Sequence, residues 1–424
     1  MSAALPARAP APKSPFGLLF LIVLVDMLGF GIIIPLLPFY ALHFQASSVQ
    51  VGLLLSVYAG CQFIAAPILG AVSDRVGRRP VLIFSQFGSA AASITLAIAS
   101  AITFSNPALG LGIVYMSRLV DGFSGGNISA AQAYVADITD PKDRARRMGM
   151  LGAAFGIGFA IGPGIGGVAG HFYPWLAPLI AATFSLTAGT LVMLRLPESL
   201  TQPVKKHGWQ LLSSARLLRK PVLAQLTCVW FLAMFAFVMS EAIFALYLAK
   251  RYHFEELHVG LTFMLAGIII IIVQGRLIGP MTRVLGEWHV AIIGPVLCAA
   301  AMLIYTQTVA TPLIALLVLA VIVFATGRSM LTPSISTLVS HEAKGNEQGA
   351  AFGLFHGMGS LARVGGPAIA GLIYDHSMRG LFLTAGTILA ISGVWLLLVR
   401  NMSQARHAAL NATTPDDQVS VDTP

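Results

Sequence analysis

The sequence predicts an all-α membrane protein, with twelve transmembrane helices arranged as two pseudo-symmetric six-helix halves. Three observations carry this. First, of 424 residues 56% are hydrophobic and only 10% are Asp, Glu, Lys or Arg, with a mean hydropathy of +0.81. A soluble domain carries roughly 25% charged residues, so this chain has too few to clothe a water-facing surface, and a soluble enzyme, a secreted disulfide scaffold and a disordered protein are excluded. Second, the apolar residues gather into runs of the length that crosses a bilayer's hydrocarbon core, about 20 residues. The runs are continuous instead of alternating, which selects helices over barrel strands. Third, sequence features of the first half return in the second.

In chain order the spans lie near 16–40, 50–73, 80–102, 108–132, 147–170, 177–195, 222–249, 259–278, 289–307, 312–337, 347–373 and 380–400. Arg8 and Lys13 precede the first run as they would in a signal peptide, but the run continues through Pro35 and Pro38 without a small-residue cleavage site, so it is a span. The longest interior polar stretch, 196–221, separates an N-terminal half (16–195) from a C-terminal half (222–400). Its amphipathic segment LLSSARLLRK is expected to lie along the membrane interface. The Ala/Pro-rich residues 1–15 and the tail 401–424 read as disordered.

Twelve spans place both termini on one side. Assigning that side to the cytoplasm gives its loops and termini 20 of the 26 Lys and Arg residues; the opposite loops hold only Lys250, Arg251 and Arg379. This bias orients the protein with both termini cytoplasmic. It also accounts for the net charge of +9, since no dense basic stripe with interleaved aromatics points to a nucleic-acid partner. Cys61, Cys228 and Cys298 each sit alone in an apolar run and read as small buried hydrophobes, without metal-ligand spacing or a disulfide framework.

The two halves look duplicated. Gly162-Pro163-Gly164-Ile165-Gly166-Gly167 in span 5 has its counterpart in Gly366-Pro367-Ala368-Ile369-Ala370-Gly371 of span 11; Arg118 in span 4 matches Arg328 in span 10; Gly77 after span 2 matches Gly286 after span 8. The offsets are 204, 210 and 209. Two six-helix halves with a midplane cavity between them describe a secondary transporter.

An ionisable side chain costs roughly 2.5–3.5 kcal/mol at the centre of a spanning helix on insertion scales, so each one is a candidate for function. Six stand out: Asp26, Arg118, Asp121, Glu241, Arg328 and Arg363. At 1.5 Å per residue Asp26 lies about 15 Å into span 1 and Arg118 about 15 Å into span 4, so the two are expected to face each other across the cavity. There Asp26 can take a proton from one side and release it to the other. Asp121, one helical turn from Arg118, either neutralises it or joins the site. Glu241 has no basic residue within a turn of it and reads as a lone acid for a proton or a cationic substrate. Arg328 reads as structural; Arg363 reads as structural or as substrate-binding, anchoring a carbonyl or pairing with an acid. His356 in span 11 reads first as a hydrogen-bonded core residue and second as a proton relay.

The loop after span 2 reads GAVSDRVGRRP, with Gly70, Asp74, Arg75, Gly77, Arg78 and Arg79. Glycine permits the tight turn, the arginines hold the loop cytoplasmic, and Asp74 is suited to a helix N-terminus or an arginine latch between the halves. In span 5, Gly158, Gly162, Gly166 and Gly170 form a stripe at four-residue intervals, with Pro163 and Gly167 beside it. Such a stripe lets helices approach closely and makes a smooth seal.

With these motifs the chain resembles the major facilitator superfamily over residues 15–400 and, within it, the twelve-helix drug/proton antiporters of the tetracycline-efflux-like branch. The matching segments are LVDMLGFGIIIPLLP, GAVSDRVGRRPVL, RLVDGFSGG and GIGFAIGPGIGG. The resemblance implies that Asp26 handles substrate and proton, that Arg118 is linked to proton coupling, that Asp74, Arg75, Arg78 and Arg79 form the latch, and that the span-5 motif marks antiport. It implies a monomeric efflux transporter of small amphipathic compounds in a bacterial inner membrane, with the proton as coupling ion and no other cofactor. Three departures bear on substrate: Ala92 stands where tetracycline pumps carry a span-3 acid, span 9 lacks an acid, and Asp121 stands where a small residue is usual. The loop after span 8 departs too, with Arg283 in place of the latch acid and Glu287 after Gly286. A metabolite exporter, or an importer or facilitator of a sugar or organic acid, would share the fold; a membrane receptor would not need Asp26 or Glu241 to titrate. The absence of a GxxxxGK[ST] loop argues against ATP drive, and no nucleophile–base constellation suggests an enzyme.

Overall fold

The computed structural model describes residues 15–200, 215–343 and 347–412, and among these there is no strand. The N-terminal half consists of α1 (Phe16–His43), α2 (Ser48–Val76), α3 (Arg78–Ala101), α4 (Pro107–Ser124, continued by Ile128–Asp137), α5 (Pro141–Phe172) and α6 (Leu176–Arg195). The C-terminal half consists of α7 (Pro221–Tyr252), α8 (Glu256–Leu285), α9 (Glu287–Ala310), α10 (Ile314–Glu342), α11 (Gln348–His376) and α12 (Met378–Ala412). Ten of these are long and apolar enough to cross a membrane on composition alone. The other two are α4 and α11, which carry Arg118, Asp121 and Arg363.

The extremes of the chain differ from expectation in part. Residues 1–14, 201–214 and 413–424 lie outside the described residues, and with them most of the N-terminal segment and the start of LLSSARLLRK. The rest of that segment is a 3-10 turn, Ala215–Arg219. Helix α12 continues to Ala412, through residues expected to be disordered from 401. The polar stretch 401–412 contains Ala405, Ala408, Ala409 and Leu410, good helix formers that extend the preceding span.

Breaks in three helices shape the interior. Pro35 and Pro38 force a 3-10 turn over Ile34–Leu36 in α1. The Gly125-Gly126-Asn127 triplet breaks α4. A wider, π-type turn over Val273–Leu277 interrupts α8.

The halves meet along two seams, α2 on α11 and α5 on α8. Both seams use the same device. A Cβ on Gly52 of α2 would collide with the Pro367 carbonyl of α11, and a Cβ on Gly260 of α8 would collide with the Pro163 carbonyl of α5. Gly371 lies on Ser48 in one seam and Gly167 on Glu256 and Gly260 in the other. Across the first seam the Ala368 N–H donates to Ser56 Oγ at 3.1 Å, and beside the second His171 stands 3.5 Å from Glu255. Phe39 and Leu42 of α1 and Leu55 of α2 also rest on the C-terminal core at this end. Toward the end that carries the chain termini, Gly149, Gly152 and Gly156 of α5 and Gly275 and Gly279 of α8 face open space. The bundle is therefore closed at the far end and open at the terminus-bearing end.

Candidate functional site

Between the halves lies a cavity of about 250 Å³. Its apolar wall includes Met27, Phe30, Leu55, Phe155, Phe159 and Phe263, and its charged residues are Asp26, Asp121, Glu241, Arg328 and Arg363. Phe30 sets an aromatic corner, with its ring centroid 5.5 Å from Tyr58 and 5.6 Å from Phe159.

Asp26 is held on this wall by the span-5 glycines. Met27, Gly31 and Ile32 of α1 press backbone to backbone against Gly158, Gly162 and Gly166 of α5, and Gly29 faces Ala181 of α6. Those contacts fix the rotation of α1 and leave Asp26, half-buried, on the cavity side. Gly158, Gly162 and Gly166 thus pack α1 within their own half; the contact across to α8 is made by Ala160, the Pro163 carbonyl, Gly164, Gly167 and the last glycine of the stripe, Gly170, which lies on Glu256.

The expected pairing of Asp26 with Arg118 does not form. The Arg118 guanidinium is buried at 3% exposure and donates from Nη1 to Asp121 Oδ2 and from Nη2 to Ser117 Oγ, each at 3.0 Å. One turn of helix brings Arg118 and Asp121 together at no cost in chain ordering, and this local partner wins. Asp26 receives instead the Asn127 side-chain amide, 3.4 Å from Oδ2, with Gln86 of α3 also in reach. Among the described residues no Lys or Arg forms an ion pair with Asp26.

Asn127 was not singled out from the sequence, although the glycine pair before it signals a break in a helix. Gly126 lies against Ala65 and Ala66 of α2, and the Gly125 carbonyl accepts from Gln62 Nε2 at 3.0 Å. The break is thereby satisfied by a neighbouring helix, as backbone at membrane depth must be.

Glu241 is not the lone acid its own helix suggests. Arg328 reaches from α10 to donate to Glu241 Oε2 at 3.0 Å, with its guanidinium 5.8 Å from the Phe237 ring centroid. The partner is 87 residues away in sequence, beyond what a one-turn search can find. Arg363 is exposed to the cavity it lines, and among the described residues none offers it a hydrogen bond or an ion pair. His356 stacks on Phe352 and does not line the cavity. Ala92 is buried away from it, its carbonyl accepting from Ser117 Oγ, while Ser89 and Ser93 supply the α3 lining.

A second cluster closes the turn between α2 and α3. Gly77 there has φ +109°, a conformation that glycine adopts freely. Arg78 is buried; it pairs with Asp74 at 2.5 Å and Asp137 at 3.2 Å and donates to Ser73 Oγ at 2.7 Å. Glu198 accepts the first N–H groups of α3, from Arg78 at 2.8 Å and Arg79 at 3.0 Å. Arg79 Nη2 donates to the Met193 carbonyl at 2.5 Å, Arg75 is exposed, and Gly70 lies against Ser129 of α4. All these partners belong to the N-terminal half or the start of the linker. In this conformation the cluster ties α2, α3, α4 and α6 together and, among the described residues, makes no bridge between the halves.

Comparison with known proteins matches this architecture. The Major Facilitator Superfamily model matches residues 19–365 and 277–416. Tetracycline resistance protein, class C, of Escherichia coli is 31% identical over 362 residues, covering 84% of this chain and 88% of that protein. Multidrug resistance protein 2 of Bacillus subtilis (strain 168) is 28% identical over 407 residues, covering 94% and 98%. The crystal structure of the human organic anion transporter MFSD10 (TETRAN) superposes with a TM-score of 0.66 at 25% identity, covering 91% of this chain and 100% of that one. The nucleoside transporter NupG, at 14% identity and a TM-score of 0.73, shares the fold, with 92% and 99% covered. Two six-helix halves closing on a charged cavity, and a family match that runs from α1 into α12, lead to one assignment: the chain belongs to the Major Facilitator Superfamily and is a transporter rather than an enzyme.

Proposed function

We propose that the protein is a proton-coupled exporter of small amphipathic organic compounds, a drug-efflux antiporter working by alternating access. The observation that carries this reading is Asp26, a carboxylate without a cationic partner on the wall of an aromatic cavity between the halves. The relatives named for tetracycline and multidrug resistance support the direction of transport and the substrate class. The Lys/Arg bias supports cytoplasmic termini, and in that orientation the open end faces the cytoplasm and the two glycine–proline seams close the outer end.

Coupling follows from the cost of an unpaired charge. An uncompensated carboxylate is expensive in a dry, membrane-deep site. Asp26 is neutralised either by a cationic substrate or by a proton, and the carrier closes over the cavity only when the charge on Asp26 is compensated. Substrate binds from the inside, the halves rock about the seams, and a proton from outside displaces it from Asp26 and returns with the carrier. Glu241 is already compensated by Arg328 and Asp121 by Arg118, so Asp26 is the acid through which the exchange runs. The protein acts as a monomer in a bacterial inner membrane, and the proton is its coupling ion.

Everted membrane vesicles energised to acidify their interior test the reading. Lipophilic cations or tetracyclines should accumulate in them and leave when a protonophore collapses the gradient. Equilibration that needs no gradient would identify a facilitator instead, and binding without flux a receptor.

A further inference from the structure

We propose that the cavity is a two-charge site built for amphiphiles that carry an acidic group as well as a cationic one, with Arg363 as the subsite for the anion. This rests on the proposed function in taking the cavity as the substrate site, and it adds the chemistry of the substrate. The charged groups in and beside the cavity sort into two closed pairs and two singles. Arg118 is closed by Asp121 and Arg328 by Glu241, each at 3.0 Å. What remains is Asp26 on α1 of one half and Arg363 on α11 of the other, both on the cavity wall and not paired with each other. A cationic drug satisfies Asp26 and leaves a guanidinium exposed in an apolar chamber. A zwitterionic amphiphile satisfies both and leaves the closed site neutral.

The surroundings of Arg363 suit an anion. Tyr58, with Phe30 as ring neighbour at 5.5 Å, lines the same cavity as Arg363 and Asp26, so an aromatic body resting on that corner lies in a chamber that holds both charges. Arg328 and Glu241 also line the cavity, but closed on each other at 3.0 Å they leave the Arg363 charge without an ion pair of its own. Guanidinium offers a fork of N–H donors that meets a carboxylate or sulfonate in two parallel hydrogen bonds, which a simple cation could not use. Because α1 and α11 belong to different halves, a ligand that spans the two charges draws the halves together over the cavity.

The test uses two fluorescent probes of nearly one shape. Rhodamine 110 carries a delocalised cation and a free carboxylate; rhodamine 123 is its methyl ester and keeps only the cation. Binding to the full-length protein in detergent is measured by fluorescence anisotropy for the wild type, Arg363→Gln and Arg363→Lys. The wild type should bind the acid more tightly than the ester. Arg363→Gln should weaken the acid by about tenfold to a hundredfold, the range for losing a hydrogen-bonded charge contact, and change the ester less than twofold. Arg363→Lys should recover part of the acid's affinity. Unchanged binding of the ester by Arg363→Gln also shows that the variant is folded. An acid that binds no better than its ester, or equal loss of both in Arg363→Gln, overturns the proposal. Proton-driven transport of rhodamine 123 by the wild type is scored separately: its presence upholds antiport even if the anion subsite fails, and its absence sinks antiport even if the subsite stands.

Discussion

The turns after α2 and after α8 occupy equivalent places in the two halves, and they share a backbone but not a charge pattern. Gly77 (φ +109°) and Gly286 (φ +80°) both adopt the left-handed side of backbone space between two helices. Around Gly77, the partly exposed Asp74 and Asp137 close on the buried guanidinium of Arg78, and Glu198 brackets the start of α3. In the other half the signs are reversed: Arg283 stands at the position of Asp74, Glu287 at that of Arg78, and Glu287 reaches His341 of α10 at 3.3 Å as Arg78 reaches Asp137 of α4. That pair is open to solvent, with His341 at 66% side-chain exposure, and a Cβ on Gly286 would meet only His289. The turn is demanded by chain geometry and survives in both halves. The charge cluster is an electrostatic addition that one half has built around a buried arginine and the other has left as a surface contact.

The largest effect separating the two should come from their central residues. Arg78→Ala leaves Asp74 and Asp137 without their shared cation and should cost about 2–3 kcal/mol, less than a fully buried pair because both aspartates are partly open to water, read as a fall in the thermal midpoint in detergent. Equal midpoints for Arg78→Ala and Glu287→Ala would dissolve the comparison. Next, Gly77→Ala and Gly286→Ala should each lose about 1–2 kcal/mol from placing a Cβ at positive φ. The Gly77 variant should lose more, because its Cβ also displaces the Glu198 carboxylate. Glu198→Ala should cost about 0.5–2 kcal/mol, as for a lost helix cap. Smallest is Glu287→Gln, within about 1 kcal/mol and shrinking further with added salt, as exposed pairs do.

Much of this was legible in the sequence because it depends on local rules. Apolar runs gave the twelve spans, and Gly77 and Gly286 gave the two turns. The matching Gly-Pro segments marked two equivalent helices, but the glycines of the facing helices that sit on their proline carbonyls, Gly52 and Gly260, carry no local signal. Partners from other helices were hidden. Arg328 reaching Glu241, Asn127 reaching Asp26 and Glu198 capping α3 lie 87, 101 and 120 residues apart. Where a local and a distant partner competed, as for Arg118, the local one prevailed. The stripe of Gly158, Gly162 and Gly166 was visible, but its partner was not: it meets α1 and so sets the angle of Asp26.

That angle leads to the central claim, that Asp26 exchanges a proton for substrate. Proton release from lightly buffered protein in detergent tests it most directly, on adding a panel of lipophilic cations and tetracyclines to the wild type, Asp26→Asn and Glu241→Gln. The account predicts release on substrate binding in the wild type and in Glu241→Gln, and none in Asp26→Asn. Substrate binding with the same proton release in Asp26→Asn, or with none in any variant, would contradict it.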